Sequence, residues 1–123
     1  MNRILVAEDD AALRALYVVW LEHAGCDVVA CADGREALAA LEGGLAPDAA
    51  VLDVDMPFVD GLSVCRYLHA RDAGVPIVVV SGVDELRRAA LAAGASDVLV
   101  KPCLREELMA ALAGPARSKA AAA

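Results

Sequence analysis

Five short apolar runs, each followed by a stretch with helical periodicity, constrain this chain more than any other feature. The runs occupy residues 4–7, 27–31, 49–53, 76–80 and 98–100. The first, third, fourth and fifth are almost continuous in Val, Leu, Ile and Ala rather than alternating with polar residues. Strands of that kind are covered on both faces, as in a parallel sheet. Between them, Leu13, Leu16, Trp20, Leu21 and Ala24 recur at helical spacing over 11–24, and Gly25 supplies a stop. Asp33 followed by Glu36 is a capping box for a helix over 34–42. Asp60 caps a third helix with Leu62, Cys65, Leu68 and His69 as its inner face. Asp84 opens a short fourth that ends near Gly94, and Leu104, Leu108, Ala111 and Leu112 mark a fifth. The order is (βα) five times. Strict alternation with short loops gives right-handed crossovers and a parallel sheet with helices on both faces, so the expected fold is α/β, a doubly wound five-stranded parallel sheet. The order expected for it is the flavodoxin-like 2-1-3-4-5, one of the common orders of such sheets.

The length of 123 residues suits one domain, expected over residues 1–113. Residues 114–123, GPARSKAAAA, are small and polar and read as a frayed tail or a severed linker. Hydrophobic residues make up 59% of the chain, enough for a core without a metal or disulfide staple. No uncharged apolar run approaches the ~18–20 residues of a membrane span, and Asn2-Arg3 leads directly into the first strand without a signal-like stretch. A soluble, cytoplasmic protein is expected. Cys26, Cys31, Cys65 and Cys103 form no CxxC pair and have no histidine at metal-ligand spacing, so they read as small buried hydrophobes. A net charge of -7 repels phosphate backbones and makes a cation a more natural partner than nucleic acid.

In sheets of this kind ligands bind at the carboxyl ends of the strands, beside the topological switch point. Strand 1 ends in Glu8-Asp9-Asp10, strand 3 in Asp53 with Asp55 beyond it, strand 4 in Ser81-Gly82 and strand 5 in Lys101-Pro102. With strands 1 and 3 adjacent, their acids share one crevice flanked by Ser81 and Lys101. Carboxylates about 4 Å apart repel by on the order of 4 kcal/mol per pair at an effective dielectric of ~20. Such a site must hold a proton or bind a cation, and hard oxygen ligands with open positions suit Mg2+. A carboxylate can also attack phosphorus and form an aspartyl phosphate, with a cation, an ammonium and a hydroxyl each taking one phosphoryl oxygen. Asp53, Asp9, Lys101 and Ser81 supply that set.

ILVAEDD at 4–10, VLDVDMPFVDG at 51–61, VVVSG at 78–82 and GASDVLVKP at 94–102, in this order and at these intervals, resemble the receiver domain of bacterial two-component response regulators, the CheY-like domains. The likeness runs from Arg3 to about Leu112. It implies that Asp53 is the phospho-acceptor, with a phosphohistidine on a sensor histidine kinase or phosphotransfer protein as donor. It implies that Asp9 binds Mg2+ directly and Glu8 through water, that the main-chain carbonyl of Asp55 joins them, and that Mn2+ could substitute. Ser81 becomes the switch hydroxyl and Lys101 the lysine that pairs with the phosphoryl group, with a cis Lys101–Pro102 bond. The face of helix 4, strand 5 and helix 5 becomes the readout surface for an output domain or effector protein, or for a homodimer. The domain is then a signalling module, catalysing only its own phosphoryl transfer and autodephosphorylation, with no direct nucleic-acid or membrane contact.

Three positions depart from the family pattern. Val98 stands where an aromatic is usual, Cys103 where Phe commonly follows Lys-Pro, and Asp55 adds a further acid near the cation. Rival readings are weaker. LDVDMP has the DxD spacing of haloacid-dehalogenase-type phosphatases, but on the third strand instead of the first and without room for a cap domain. Flavodoxin's phosphate loop is incompatible with Glu8-Asp9-Asp10, and neither a Walker A nor a GxGxxG motif is present. A receiver-like interaction module that works without phosphorylation is the alternative that Val98 keeps open. Asp10 reads as a helix cap, Trp20 as packing, His23 and His69 as lone helical histidines, and Arg87-Arg88 as a solvated face.

Overall fold

The computed structural model describes residues 2–113; the tail expected at 114–123 lies outside the described residues. The elements run β1 Arg3–Ala7, α1 Ala11–His23, β2 Asp27–Cys31, α2 Gly34–Glu42, β3 Ala49–Asp53, α3 Gly61–Arg71, β4 Ile77–Ser81, a 3-10 turn Asp84–Leu86, α4 Arg87–Ala92, β5 Asp97–Val100 and α5 Arg105–Ala113. All strand pairs are parallel and the order is β2-β1-β3-β4-β5, as expected. No described helix is long and apolar enough to cross a membrane.

The sheet separates two apolar layers. Leu5, Ala7, Ala50, Leu52, Ile77 and Val79 pack on the side of α2, α3 and α4. Ile4, Val6, Ala49, Val51, Val78 and Val80 pack with Tyr17, Leu21 and Leu108 on the side of α1 and α5. Neighbours along a strand point to opposite faces, so runs that look uniformly apolar feed both layers in turn. At the edge, β2 buries only Cys31 fully, which matches its more mixed sequence.

Local chemistry starts the helices. Asp10 Oδ1 accepts the Ala12 and Leu13 N–H groups, Asp33 Oδ1 that of Glu36, and Asp60 Oδ1 that of Ser63. Each carboxylate satisfies amides that the helix cannot, and suits the positive end of its dipole. Gly25 follows α1 at φ 87, a conformation that costs a residue without a side chain little.

The structure corrects several expectations. The buried residues of α1 are Tyr17 and Leu21, while Leu16 is 40% exposed and Ala24 is exposed as well. Tyr17 lies outside the expected stripe, yet its ring is among the largest fully buried groups. Leu104 is 64% exposed and precedes α5 instead of lying on its inner face. Its amide donates to Glu107 Oε1 at 2.7 Å, so a cap fixes its place. On α3, Val64 is buried beside Cys65 and Leu68, whereas Leu62 and His69 are only half-buried. β4 runs one residue later than expected, to Ser81, and β5 begins at Asp97.

α3 rests directly on the backbone of the third strand's end. A Cβ at Gly61 would overlap the Asp53 carbonyl oxygen, whereas at Gly82 it would meet nothing within 4 Å. Overpacking against backbone has no soft side chain to yield. Gly61→Ala should therefore lower stability by at least about 2 kcal/mol, and Gly82→Ala should stay within about 0.5 kcal/mol of wild type. Urea denaturation of both variants checks this pair.

Candidate functional site

The carboxyl ends of β1, β3, β4 and β5 converge because the strands are parallel and in register, with Ala7 opposite Leu52, Asp53 opposite Val80 and Ser81 opposite Val100. Asp53 is the last residue of β3 and 3% exposed; Glu8 follows β1 directly and is 1% exposed. Asp9 is exposed at the rim. One carboxylate oxygen from each of Glu8, Asp9 and Asp53 lies within 4.8 Å of the others, the one such group among the described residues.

Lys101, just past β5, supplies the counter-charge. Its Nζ stands 3.0 Å from Glu8 Oε1 and 3.1 Å from Asp53 Oδ1. The Lys101–Pro102 bond is cis. Lys101 N–H donates to the Ser81 carbonyl at 2.8 Å, which ties the β4 and β5 ends together. Ser81 is buried, and its hydroxyl oxygen accepts the Val83 N–H at 3.1 Å.

Glu8 is held from several directions. Its N–H donates to the Cys31 carbonyl at 3.1 Å, its Oε2 accepts the Asp10 N–H at 3.1 Å, and its carbonyl accepts Arg14 Nη1 at 2.8 Å. Its Oε1 has the Lys101 charge beside it but receives no hydrogen bond of proper geometry. A buried carboxylate oxygen with capacity to spare, among hard oxygen donors, fits a small hard cation such as Mg2+.

Burial pushes the Asp53 carboxyl up from its ordinary 3.8 to about 7, and the Glu8 charge adds to this. Lys101 opposes the rise and Asp9 reinforces it. For Lys101, burial alone would favour loss of the proton, but Glu8 and Asp53 outweigh it and hold the ammonium above its ordinary range. One ammonium does not balance the buried acids, so the site favours either a proton on Asp53 or a bound cation.

Of the residues singled out from sequence, Glu8, Asp9, Asp53 and Lys101 come together. Ser81 sits at the adjoining strand end and bonds Val83. The Asp55 side chain is exposed, and its carboxylate is not in the cluster. Asp10 serves as a cap. The four cysteines are free; burial raises the Cys31 and Cys65 thiols to about 11, which keeps them protonated at neutral pH. Sequence reasoning passed over Arg14. The available signal was a lone basic side chain about one turn into the helix that follows the acids.

The family model of the response regulator receiver domain matches residues 4–113. The chain is 46% identical over 110 residues to the response regulator MprA of Mycolicibacterium vanbaalenii, which covers 88% of this chain and 47% of that protein. It thus spans about half the length of the curated relatives it matches. A CheY-like response regulator receiver domain protein from Methanospirillum hungatei has a TM-score of 0.89 at 25% identity, covering 100% of this chain and 99% of that one. The response regulator protein TrrA of Thermotoga maritima, solved in complex with Mg2+-BeF, has a TM-score of 0.79 at 28% identity, covering 89% and 94%.

The displaced Asp53 titration has a signed consequence. Between about pH 4 and pH 7 the folded chain holds this proton more firmly than the unfolded chain does. The group's favourable contribution is therefore complete in acid and lost as the pH rises to about 7. Above that, ionised Asp53 opposes folding. Asp53→Asn should raise Tm at pH 8 by about 5 °C or more, and the gain should shrink toward pH 5. Mg2+ should raise the wild-type Tm at pH 8 and leave the variant nearly unmoved. Thermal melts at the two pH values check all three signs.

Proposed function

The chain belongs to the response regulator receiver family, and from that membership we propose that Asp53 accepts a phosphoryl group from the phosphohistidine of a sensor histidine kinase or a phosphotransfer protein. One Asp53 carboxylate oxygen attacks phosphorus; the P–O bond forms as the P–N bond breaks, and the electron pair leaves on the imidazole nitrogen. The ionised carboxylate is the competent form, and Lys101, 3.1 Å away, favours it. Glu8, Asp9, Asp53 and the Asp55 main-chain carbonyl would hold Mg2+ or Mn2+. When bound, the cation supplies charge neutralisation for the carboxylates and for the transferring oxygens. Lys101 then pairs with one phosphoryl oxygen while keeping Glu8, and Ser81 donates its hydroxyl proton to another.

Phosphorylation adds about -1.5 to -2 of charge beside existing acids. The Ser81 oxygen accepts Val83 N–H, so turning this hydroxyl toward the phosphoryl group draws on the loop before α4. Val98 has no ring to swing, and its side chain is 1% exposed in the core. The coupling therefore runs through hydrogen bonds to the main chain: Lys101 N–H to the Ser81 carbonyl, and the Arg87 side-chain Nη2 to the Val98 carbonyl at 3.0 Å. The face of α4, β5 and α5 carries the change to an output domain or effector, and is also where a second copy would pair. Hydrolysis of the aspartyl phosphate resets it. The protein would act in the cytoplasm, with residues 1–113 as the receiver and without contacting nucleic acid through this domain.

The observation that carries this reading is the Lys101 ammonium seated between Glu8 and Asp53, inside a three-carboxylate cluster. Val98 alone favours a second reading, an interaction module that works without phosphorylation. Intact mass after incubation with acetyl phosphate separates them. Wild type should gain one phosphoryl group only with Mg2+, and Asp53→Asn should gain none. Lys101→Ala should slow the gain by roughly 10²-fold. A folded wild-type protein that gains no mass would leave the interaction module as the surviving reading.

A further inference from the structure

We propose that Arg14 is a positioning residue for the acidic cluster: by fixing the Glu8 main chain, it holds Glu8 and Asp9 where they can share a divalent cation. The inference rests on the phosphoryl-transfer reading for the identity of that cation.

β1 ends at Ala7, and Glu8 keeps only part of the ladder. Its N–H still reaches the Cys31 carbonyl, but its own carbonyl takes a side-chain donor, Arg14 Nη1, at 2.8 Å. Arg14 lies six residues on, at the end of the first turn of α1. The start of that helix is set by Asp10, which accepts the Ala12 and Leu13 amides and donates its own N–H to Glu8 Oε2. Residues 8–14 thus form a closed circuit: strand end to cap, cap to helix, helix back to strand end. Of the three acids in that stretch, Asp10 is the cap, and Glu8 and Asp9 belong to the carboxylate cluster.

The choice of acceptor matters. Among the described residues the cations in ion-pair contact with these carboxylates reduce to Lys101; Arg14 pairs with none of them and bonds the backbone instead. A guanidinium on a carboxylate would compete with a bound cation. On the carbonyl it orients the acids and leaves their oxygens available.

Two simpler roles make different demands. If Arg14 acted only as a nearby positive charge, it would repel the divalent cation, and its removal would tighten binding. If it only satisfied a carbonyl, its removal would lower stability and leave cation affinity alone. A positioning role requires weaker binding on removal. Outer partners that orient metal ligands are typically worth 10–100-fold in affinity.

The test is calorimetric titration of Mg2+ into the chain, without phosphodonor, for wild type, Arg14→Met and Arg14→Lys, with circular dichroism to establish folding. Arg14→Met should weaken binding by roughly 10-fold, and Arg14→Lys, which restores a cationic donor, should recover part of the loss. Arg14→Ala, a good helix former, takes the place of the Met variant if that one folds poorly. Unchanged or tighter binding in the folded neutral variant overturns the proposal while leaving the phosphoryl-transfer reading intact. Wild type that binds no Mg2+ overturns both.

Discussion

Mutual repulsion among the carboxylates of Glu8, Asp9 and Asp53 is the constraint on which the rest of this structure turns. Two of the three are buried, and all three crowd within 4.8 Å. Isolated, such a cluster would not survive folding with its charges intact. Every surrounding device reduces its cost. Lys101 brings a positive charge to two of the acids, and the backbone amide of Asp10 binds the far oxygen of Glu8. The remaining imbalance is absorbed as the raised affinity of Asp53 for a proton. Added positive charge of any kind, a proton or a bound cation, relieves the crowding of these acids.

Much of this was legible in the sequence, for a physical reason. Parallel strands buried on both faces leave continuous apolar runs, and the run ends at 8, 53, 81 and 101 mark where each strand leaves the core. The βα alternation implies a parallel sheet, whose strand ends share one edge; it does not by itself fix the order that sets β1 beside β3. What escaped notice depends on rotation and on caps. Three-residue spacing put Leu16 in the α1 stripe, yet the helix is turned so that Tyr17 and Leu21 face the sheet. Leu104 was apolar at a helical interval, but Glu107 takes its amide and fixes it outside α5. Arg14 escaped because its partner is a main-chain carbonyl, which leaves no mark on composition.

The departures from the family pattern also have a local account. Cys103 is small and buried where a ring is common after Lys-Pro, and it shares an apolar layer with Tyr17. Burial raises both the Tyr17 hydroxyl and the Cys103 thiol above their ordinary ranges, as expected for polar tips deep in one core. Val98 similarly fills its place with a small branched side chain beside Ala90, Ala93 and Ala95, and leaves no ring between core and surface. Aliphatic packing under α4 lacks the two discrete positions that an aromatic rotor provides, and the hydrogen bonds Lys101 N–H to the Ser81 carbonyl and Arg87 Nη2 to the Val98 carbonyl join β4, β5 and α4 instead.

The sheet's alternation of side chains has a consequence for how this protein can change over time. Leu5 and Val6 are neighbours in the chain but belong to separate apolar layers, as do Val51 and Leu52, and Val79 and Val80. A substitution on one side is screened from the other by a hydrogen-bonded backbone, and distant sites without shared partners behave additively. The two layers can therefore drift as separate lineages of compensating changes, each correcting itself without consulting the other. Only at the carboxyl edge do both histories meet, and there the acids and the lysine set the terms.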